Sequence, residues 1–251
     1  MSKIIKWFKK ELNETKVLLK SIPATVMTLF VVSIVAMNLL ASKLIVDASW
    51  IALDAGIIVS WLSFLTMDMV VRRFGPRASI KLSIVASLLN IVVMAVFTIA
   101  ALIPGDWMLN DYGTGMNWWI IGASTAAFIV SGVVNSITHW AIEKIFKDKH
   151  SFKSYAVSSY ASTMLGQFVD NLVFALVFTV PAFGIGFLPT LMFALTGAVV
   201  ELICQVVFSP VGYRVAEQWR KEGIGEEYIR LVETTNSEAV EVQDESIDNR
   251  D

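Results

Sequence analysis

Six apolar runs, each long enough to cross a lipid bilayer, decide what this chain can become. They fall at about residues 22–46, 53–74, 78–103, 117–146, 154–183 and 187–213, and a bilayer core demands about 20 apolar residues in helical form. Hydrocarbon offers no water to backbone N–H and C=O groups, so such runs must close their hydrogen bonds internally as helices. The expected fold class is an all-α membrane protein with six transmembrane helices. A chain that is 55% hydrophobic and only 17% charged lies outside the range of ordinary soluble domains. The first run is too long for a signal-peptide core and five more follow it, so it is read as a span that stays in the protein.

Charge placement supplies an orientation. If the amino terminus is cytoplasmic, 19 of the 20 Lys and Arg residues fall on the inner side of the six runs, and only Lys43 falls near the outer face. That is the positive-inside pattern, and it puts both termini in the cytoplasm. Asp47, Asp106 and Asp111 occupy the outer loops instead. Trp50, Trp107, Trp118 and Trp119 mark the outer interface and Trp7, Trp140 and Trp219 the inner one. Residues 1–21 intersperse Lys3, Lys6, Lys9, Lys10, Lys16 and Lys20 with apolar residues, as an amphipathic helix on an anionic membrane surface does. Three regions follow: the amphipathic segment 1–21, the six-helix domain 22–215, and an acidic cytoplasmic tail, 216–251, whose composition reads as disordered.

Polar residues inside the apolar runs are the candidates for function. The stretch from Ser162 to Phe178, STMLGQFVDNLVFALVF, carries Thr163, Gln167, Asp170 and Asn171 at intervals of three and four, which lie on one helix face. A carboxylate at mid-bilayer costs about 2.5 to 3.5 kcal/mol on insertion scales, so Asp170 calls for a use. Gly197, Glu201 and Gln205 stripe the sixth run in the same way, Ser131, Asn135 and Thr138 or His139 stripe the fourth, and Asn38 and Ser42 stand one turn apart in the first. By depth, Asn90, Asp170 and Glu201 sit centrally, Asn38 towards the outer side, and Asp68, Asn135 and His139 towards the inner side.

Each candidate has a structural alternative. Asn38, Asn90 and Asn135 fit interhelical hydrogen bonding, worth about 0.6 kcal/mol on average, as well as they fit a binding site. Asp68 precedes Arg72 by four residues and can either pair with it or face a solute path. His139 reads as a headgroup-level residue rather than a proton relay, and Lys43 as a side chain that snorkels outward. Asp170 and Glu201 have no Lys or Arg at their depth, so each must be protonated, paired with the other, or facing water or a cationic ligand.

The chain shows no G-x-S-x-G elbow, no H-E-x-x-H, no Gly-rich phosphate loop and no Walker lysine, and its two histidines are far apart. It is expected not to be an enzyme, to hold no metal and to need no cofactor. The single cysteine, Cys204, allows no intramolecular disulfide.

Three motifs carry a family likeness. TMDMVVRRFG (Thr66 to Gly75), MNLLASKLI in the first run and STMLGQFVDNLVF in the fifth resemble the VUT family of integral membrane proteins, also called queuosine precursor transporters. The likeness runs over about residues 25–215. It implies import of a 7-deazaguanine nucleobase, such as the aminomethyl or cyano form used in tRNA modification, across the bacterial inner membrane by a chain without an ATPase. Asn38, Ser42, Lys43, Thr66, Asp68, Ser162, Thr163 and Asp170 stand at positions of the family pattern. Asn135 stands where many members carry Asp, Glu201 where many carry Lys, and Ser158, Ser159 and Tyr160 include no Arg. A cationic aminomethyl ligand suits Glu201 better than a neutral nitrile does.

The resulting expectation is a secondary transporter with a mid-membrane site of Asn38, Ser42, Thr66, Asp68, Asn135, Thr163, Gln167, Asp170, Asn171 and Glu201. Its partners would be a small-molecule substrate and membrane lipid, with proton coupling and a homodimer as open options and no nucleic acid. The competing expectation is a substrate-capture subunit of an energy-coupling-factor importer for a vitamin-like solute. Against it, Ala36 and Ala41 are five apart and form no A-x-x-x-A docking motif.

Overall fold

A computed structural model describes residues 3–41, 43–48, 51–105 and 115–235. In chain order these form α1 (Lys3–Ser21), α2 (Ala24–Leu40), β1 (Leu44–Ala48), β2 (Ile51–Asp54), α3 (Ile57–Phe74), α4 (Pro76–Ala101), α5 (Gly115–Glu143) and α6 (Phe152–Phe174). A π-helical segment (Ala175–Thr179), α7 (Val180–Phe183) and α8 (Phe187–Lys221) follow, and residues 226–235 are again helical. Ser42, Trp50, Asp106, Trp107 and Asp111 lie outside the described residues.

α3 is the axis of the bundle, with eleven of its 18 residues buried. It packs against α2, α4, α5, α6 and α8, and around it α2 touches α4, α4 touches α5, α5 touches α6 and α6 touches α8. Cross-helix hydrogen bonds fix the directions. Asn38 near the end of α2 accepts from Ser124 early in α5, Ser136 late in α5 donates to Ser79 early in α4, and Ser159 early in α6 donates to Asp68 late in α3. Hence α2, α4 and α6 run one way and α3 and α5 the other, and α8 runs with α3, since Ser60 meets Glu201 and Asp68 meets Gln205.

The polarity of the bundle is inverted relative to a soluble protein. Leu88, Val92, Val96 and Ile99 form one exposed stripe on α4, and Leu195, Val199, Ile203 and Val206 another on α8. The interior holds Ser63, Thr66, Asp68, Ser131, Asn135, Ser159, Gln167 and Gln205, each at most 1% exposed. An apolar exterior around an interior this rich in buried polar groups is stable where the surrounding solvent is hydrocarbon, so the protein is a membrane protein.

On length and apolarity, four described segments can cross a membrane: α4, α5, α6 with its continuation through α7, and α8. α1 and α2, bent by 108° at the break between them, make a fifth if taken together. Of the six spans expected, the first two are not long apolar helices by that measure. The run 22–46 does not stay helical: α2 stops after 17 residues, about 25 Å at 1.5 Å per residue, and the chain turns into β1, which pairs antiparallel with β2. Apolar content does not separate helix from strand, and the β-branched Ile45 and Val46 favour the strand. Asp54 ends the hairpin by accepting from the Gly56 N–H at 2.7 Å. α3 in turn carries Asp68, Arg72 and Arg73 among its 18 residues.

Prolines remove a backbone donor from two of the long helical segments, and neighbours compensate. Pro210 leaves the Val206 carbonyl without its N–H, and Ser209 Oγ donates to that oxygen at 3.1 Å. Pro181 follows the π-helical segment, and Trp119 Nε1 donates across to the Val177 carbonyl at 3.1 Å. Unrepaired carbonyls would be costly in lipid.

Both terminal segments dock on one end of the bundle. Glu11 and Glu14 of α1 pair with Arg77 and Lys81 of α4, while Trp7, Phe8 and Leu12 stay exposed. The tail assigned to 216–251 is ordered further than its acidic composition suggests, since α8 reaches Lys221 and residues 226–235 form a helix. Apolar residues hidden among the acids explain this: Tyr228 is buried edge-on against Phe74, and Ile224 and Val232 join the same core. Gly225 permits the approach, with φ of 81° and a position where a Cβ would lie 1.9 Å from the Phe74 ring. Trp219, read as an interface marker, packs instead on Phe74 and is 4% exposed.

Candidate functional site

Two polar layers cross the interior of the bundle, and each draws on the same helices. The first is centred on Asp68, fully buried on α3. Its Oδ1 accepts from Asn135 Nδ2 at 3.0 Å and Ser162 Oγ at 3.3 Å. Its Oδ2 accepts from Ser159 Oγ at 2.6 Å, Gln205 Nε2 at 2.8 Å and Thr163 Oγ1 at 3.4 Å. Hydrogen bonds to a charged acceptor are worth about 1.5 to 3 kcal/mol each, so donors from α5, α6 and α8 together offset the several kcal/mol that burying a carboxylate costs. Gly166 makes the arrangement possible, because a Cβ there would meet Phe64 at 2.8 Å and Asn135 at 3.0 Å.

His139 belongs to this layer too. It is fully buried on α5, one turn beyond Asn135, with Nδ1 3.1 Å from Asp68 Oδ1. The approach is outside hydrogen-bond alignment, and Nε2 has no partner. The ring stands edge-on to Tyr155.

Arg72 does not pair with Asp68. Its guanidinium, 3% exposed, bonds Glu143 and lies 3.3 Å from Glu217, over the rings of Tyr155 and Tyr213. The i+4 alternative therefore fails, and Asp68 faces the interior.

The second layer lies two turns of α3 away, about 12 Å along the axis. Ser60 donates to Glu201 Oε1, and Ser131 donates to Asp170 Oδ1 at 2.7 Å. Glu201 is 4% exposed and its Oε2 has no partner. Asp170 and Glu201 are not bonded to one another, but each is in electrostatic reach of the other and of Asp54 at the foot of the hairpin. Among the described residues neither has an ion-pair partner. Gln167, 1% exposed with a free Nε2, lies on α6 between the residues of the two layers.

Asp68, Asn135 and Thr163 thus meet in one layer, and Asp170 and Glu201 approach in the other. Asn171 donates weakly to the Ala194 carbonyl at 3.4 Å, beside Gly197. Asn38 is spent on Ser124 and on the Ile34 carbonyl. Thr66 donates to its own helix at the Leu62 carbonyl, and Ser42 lies outside the described residues. His139, Ser159 and Gln205 were not among the expected site residues. The stripe Ser131, Asn135, His139 on α5 contains the signal for the first, and the stripe Gly197, Glu201, Gln205 on α8 for the last. Among the described residues no cluster of His, Cys, Asp and Glu could hold a metal ion.

A family model described as a putative vitamin uptake transporter matches residues 54–215. The chain belongs to that family. The matched segment begins at Asp54 and ends just past Tyr213, so both polar layers fall inside it, while Asn38 and Ser42 precede it. α1, α2 and the segment 226–235 lie outside. No curated protein and no solved structure matches the chain. Membership in an uptake-transporter family and an inverted, lipid-facing bundle agree that this is a membrane transport protein.

Proposed function

We propose that the chain is a bacterial inner-membrane carrier with six spans and cytoplasmic termini, importing a 7-deazaguanine-type nucleobase without an ATPase of its own. α2 and α3 would complete the six: α3 is the axis of the bundle, α2 packs on it, and both fit the alternation of direction. The 19 inner cations assign the Arg72, Lys81 and Arg220 end to the cytoplasm.

One observation carries the reading: a buried carboxylate and the carboxamides of Asn135, Gln167 and Gln205 share one interior. A guanine-like edge presents two N–H donors beside a carbonyl acceptor. Such an edge pairs with a carboxylate and a carboxamide as it does with few other combinations. The acidic layer of Asp170 and Glu201 favours an aminomethyl, cationic form over a nitrile. An alternating-access movement of the bundle would expose these layers to each side in turn.

The description vitamin uptake favours one second reading, a capture subunit that relies on a separate ATPase module for a vitamin-like solute. Liposomes holding only this chain separate the two. Uptake of labelled 7-aminomethyl-7-deazaguanine by the parent, reduced in Asp170→Asn and Glu201→Gln, is the expected result. No uptake until an ATPase module is added would favour the second reading. Transport unchanged in both variants would remove the acidic layer from the site.

A further inference from the structure

His139 is the buried titratable group that the solute reading leaves unused, and its position is specific. It is fully buried, one ring nitrogen is 3.1 Å from the Asp68 carboxylate and the other faces no partner. We propose that Asp68 and His139 form a proton-binding pair that couples uphill solute import to inward proton movement. The proposal rests on the carrier reading above and adds its driving ion.

The chemistry balances in one proton. A carboxylate and a neutral imidazole carry a net charge of minus one, and the proton that binds the imidazole brings the pair to zero. Release to the cytoplasm restores the first state. A buried unit charge resists any rearrangement that strips its donors, whereas a neutral pair resists far less. The conformational change is thereby favoured after protonation, and imidazole is the group whose charge changes near physiological pH.

The charged and titratable neighbours support the assignment. On α3, Arg72 is held by Glu143 of α5 and Glu217 of α8 and so is not free to neutralise Asp68. On α6, Tyr155 stands edge-on to His139 and lies under the Arg72 guanidinium. On α8, Gln205 supplies Asp68 with a neutral donor and Tyr213 packs on Tyr155. Glu217 also lies 3.6 Å from Nδ1 of His150, which is 60% exposed. A succession of ionisable groups therefore leads from Asp68 to the surface at the end assigned to the cytoplasm.

Two measurements test the pair. With 15N-histidine in the full chain in nanodiscs, and His150→Gln leaving a single imidazole, the ring shifts report protonation directly. A ring that changes protonation with pH, in a way that Asp68→Asn alters, supports the pair. A ring that stays neutral throughout, or a transition indifferent to Asp68→Asn, overturns it. In liposomes with the membrane potential clamped at zero and a one-unit pH gradient, one proton per solute predicts a steady-state ratio of about ten for labelled 7-aminomethyl-7-deazaguanine. His139→Gln should bring that ratio to about one, and since the ratio does not depend on turnover rate, a merely slower carrier would leave it at ten and overturn the proposal. If the parent moves no deazapurine at all, the substrate reading fails, and the 15N transition decides the proton pair by itself.

Discussion

Replacing Arg72 by Met should cost about 3 kcal/mol of stability, and the figure follows from what the guanidinium leaves behind. Removing one member of a buried ion pair costs about 3 to 5 kcal/mol, chiefly because the other charge stays buried. Arg72 is 3% exposed and serves two carboxylates. Glu217 keeps Arg220 at 2.8 Å, so Glu143 alone is stranded and the cost falls at the lower end of that range. Met restores most of the stem's packing, so no large cavity adds to it. The single cysteine provides the assay: Cys204 is partly buried on α8, and a thiol-reactive fluorophore labels it as the helices separate on heating. Adding Glu143→Gln to Arg72→Met removes the stranded charge and should recover about half of the loss or more. A double variant no more stable than the single one would refute the reasoning.

Three further outcomes follow from particular contacts. Gly225→Ala should detach the helix at 226–235, because its Cβ would enter the Phe74 ring; trypsin should then cut at Arg230 faster than in the parent, and an unchanged rate would contradict the packing. Trp119→Phe keeps the ring but strands the Val177 carbonyl, and should lower stability by about 1 kcal/mol in the same thiol assay. Burial raises the Glu11 carboxyl, but its bond to Lys81 and the charges of Lys81 and Arg77 outweigh that and hold it below its usual value. A lowered folded-state pKa contributes stability that is complete above about pH 4.3 and is lost as pH falls through the folded value. Glu11→Gln should therefore lower the melting temperature at pH 7, by an amount that shrinks as pH falls below about 4.3; a gap that does not shrink would contradict the pairing.

Much of this architecture was legible because hydropathy, charge and helical spacing are local properties. The runs of α4, α5, α6 and α8 announce themselves by length alone, and the stripes on α5, α6 and α8 correctly put Ser131, Asn135, Thr163, Asp170 and Glu201 on interior faces. What stayed hidden depends on pairing across helices. No spacing reveals that Arg72 turns to Glu143 and Glu217, which frees Asp68 for five donors. His139 looks like an interface residue when depth is counted from the ends of an apolar run, but α5 places it one turn from Asn135 against Asp68. The hairpin at 44–54 was hidden by its composition, since Leu44, Ile45 and Val46 extend an apolar run as well in a strand as in a helix. Tyr228 was masked by its acidic neighbours, because composition averages over a segment while one buried ring can anchor it.

The central claim is that the Asp68 layer receives the solute. Equilibrium binding of labelled 7-aminomethyl-7-deazaguanine to the purified full chain tests it most directly, with the Cys204 melt verifying that each variant is folded. Saturable binding by the parent, weakened about 100-fold in Asp68→Asn through loss of a charged acceptor, is the predicted result. Equal affinity in a folded Asp68→Asn variant would contradict the account.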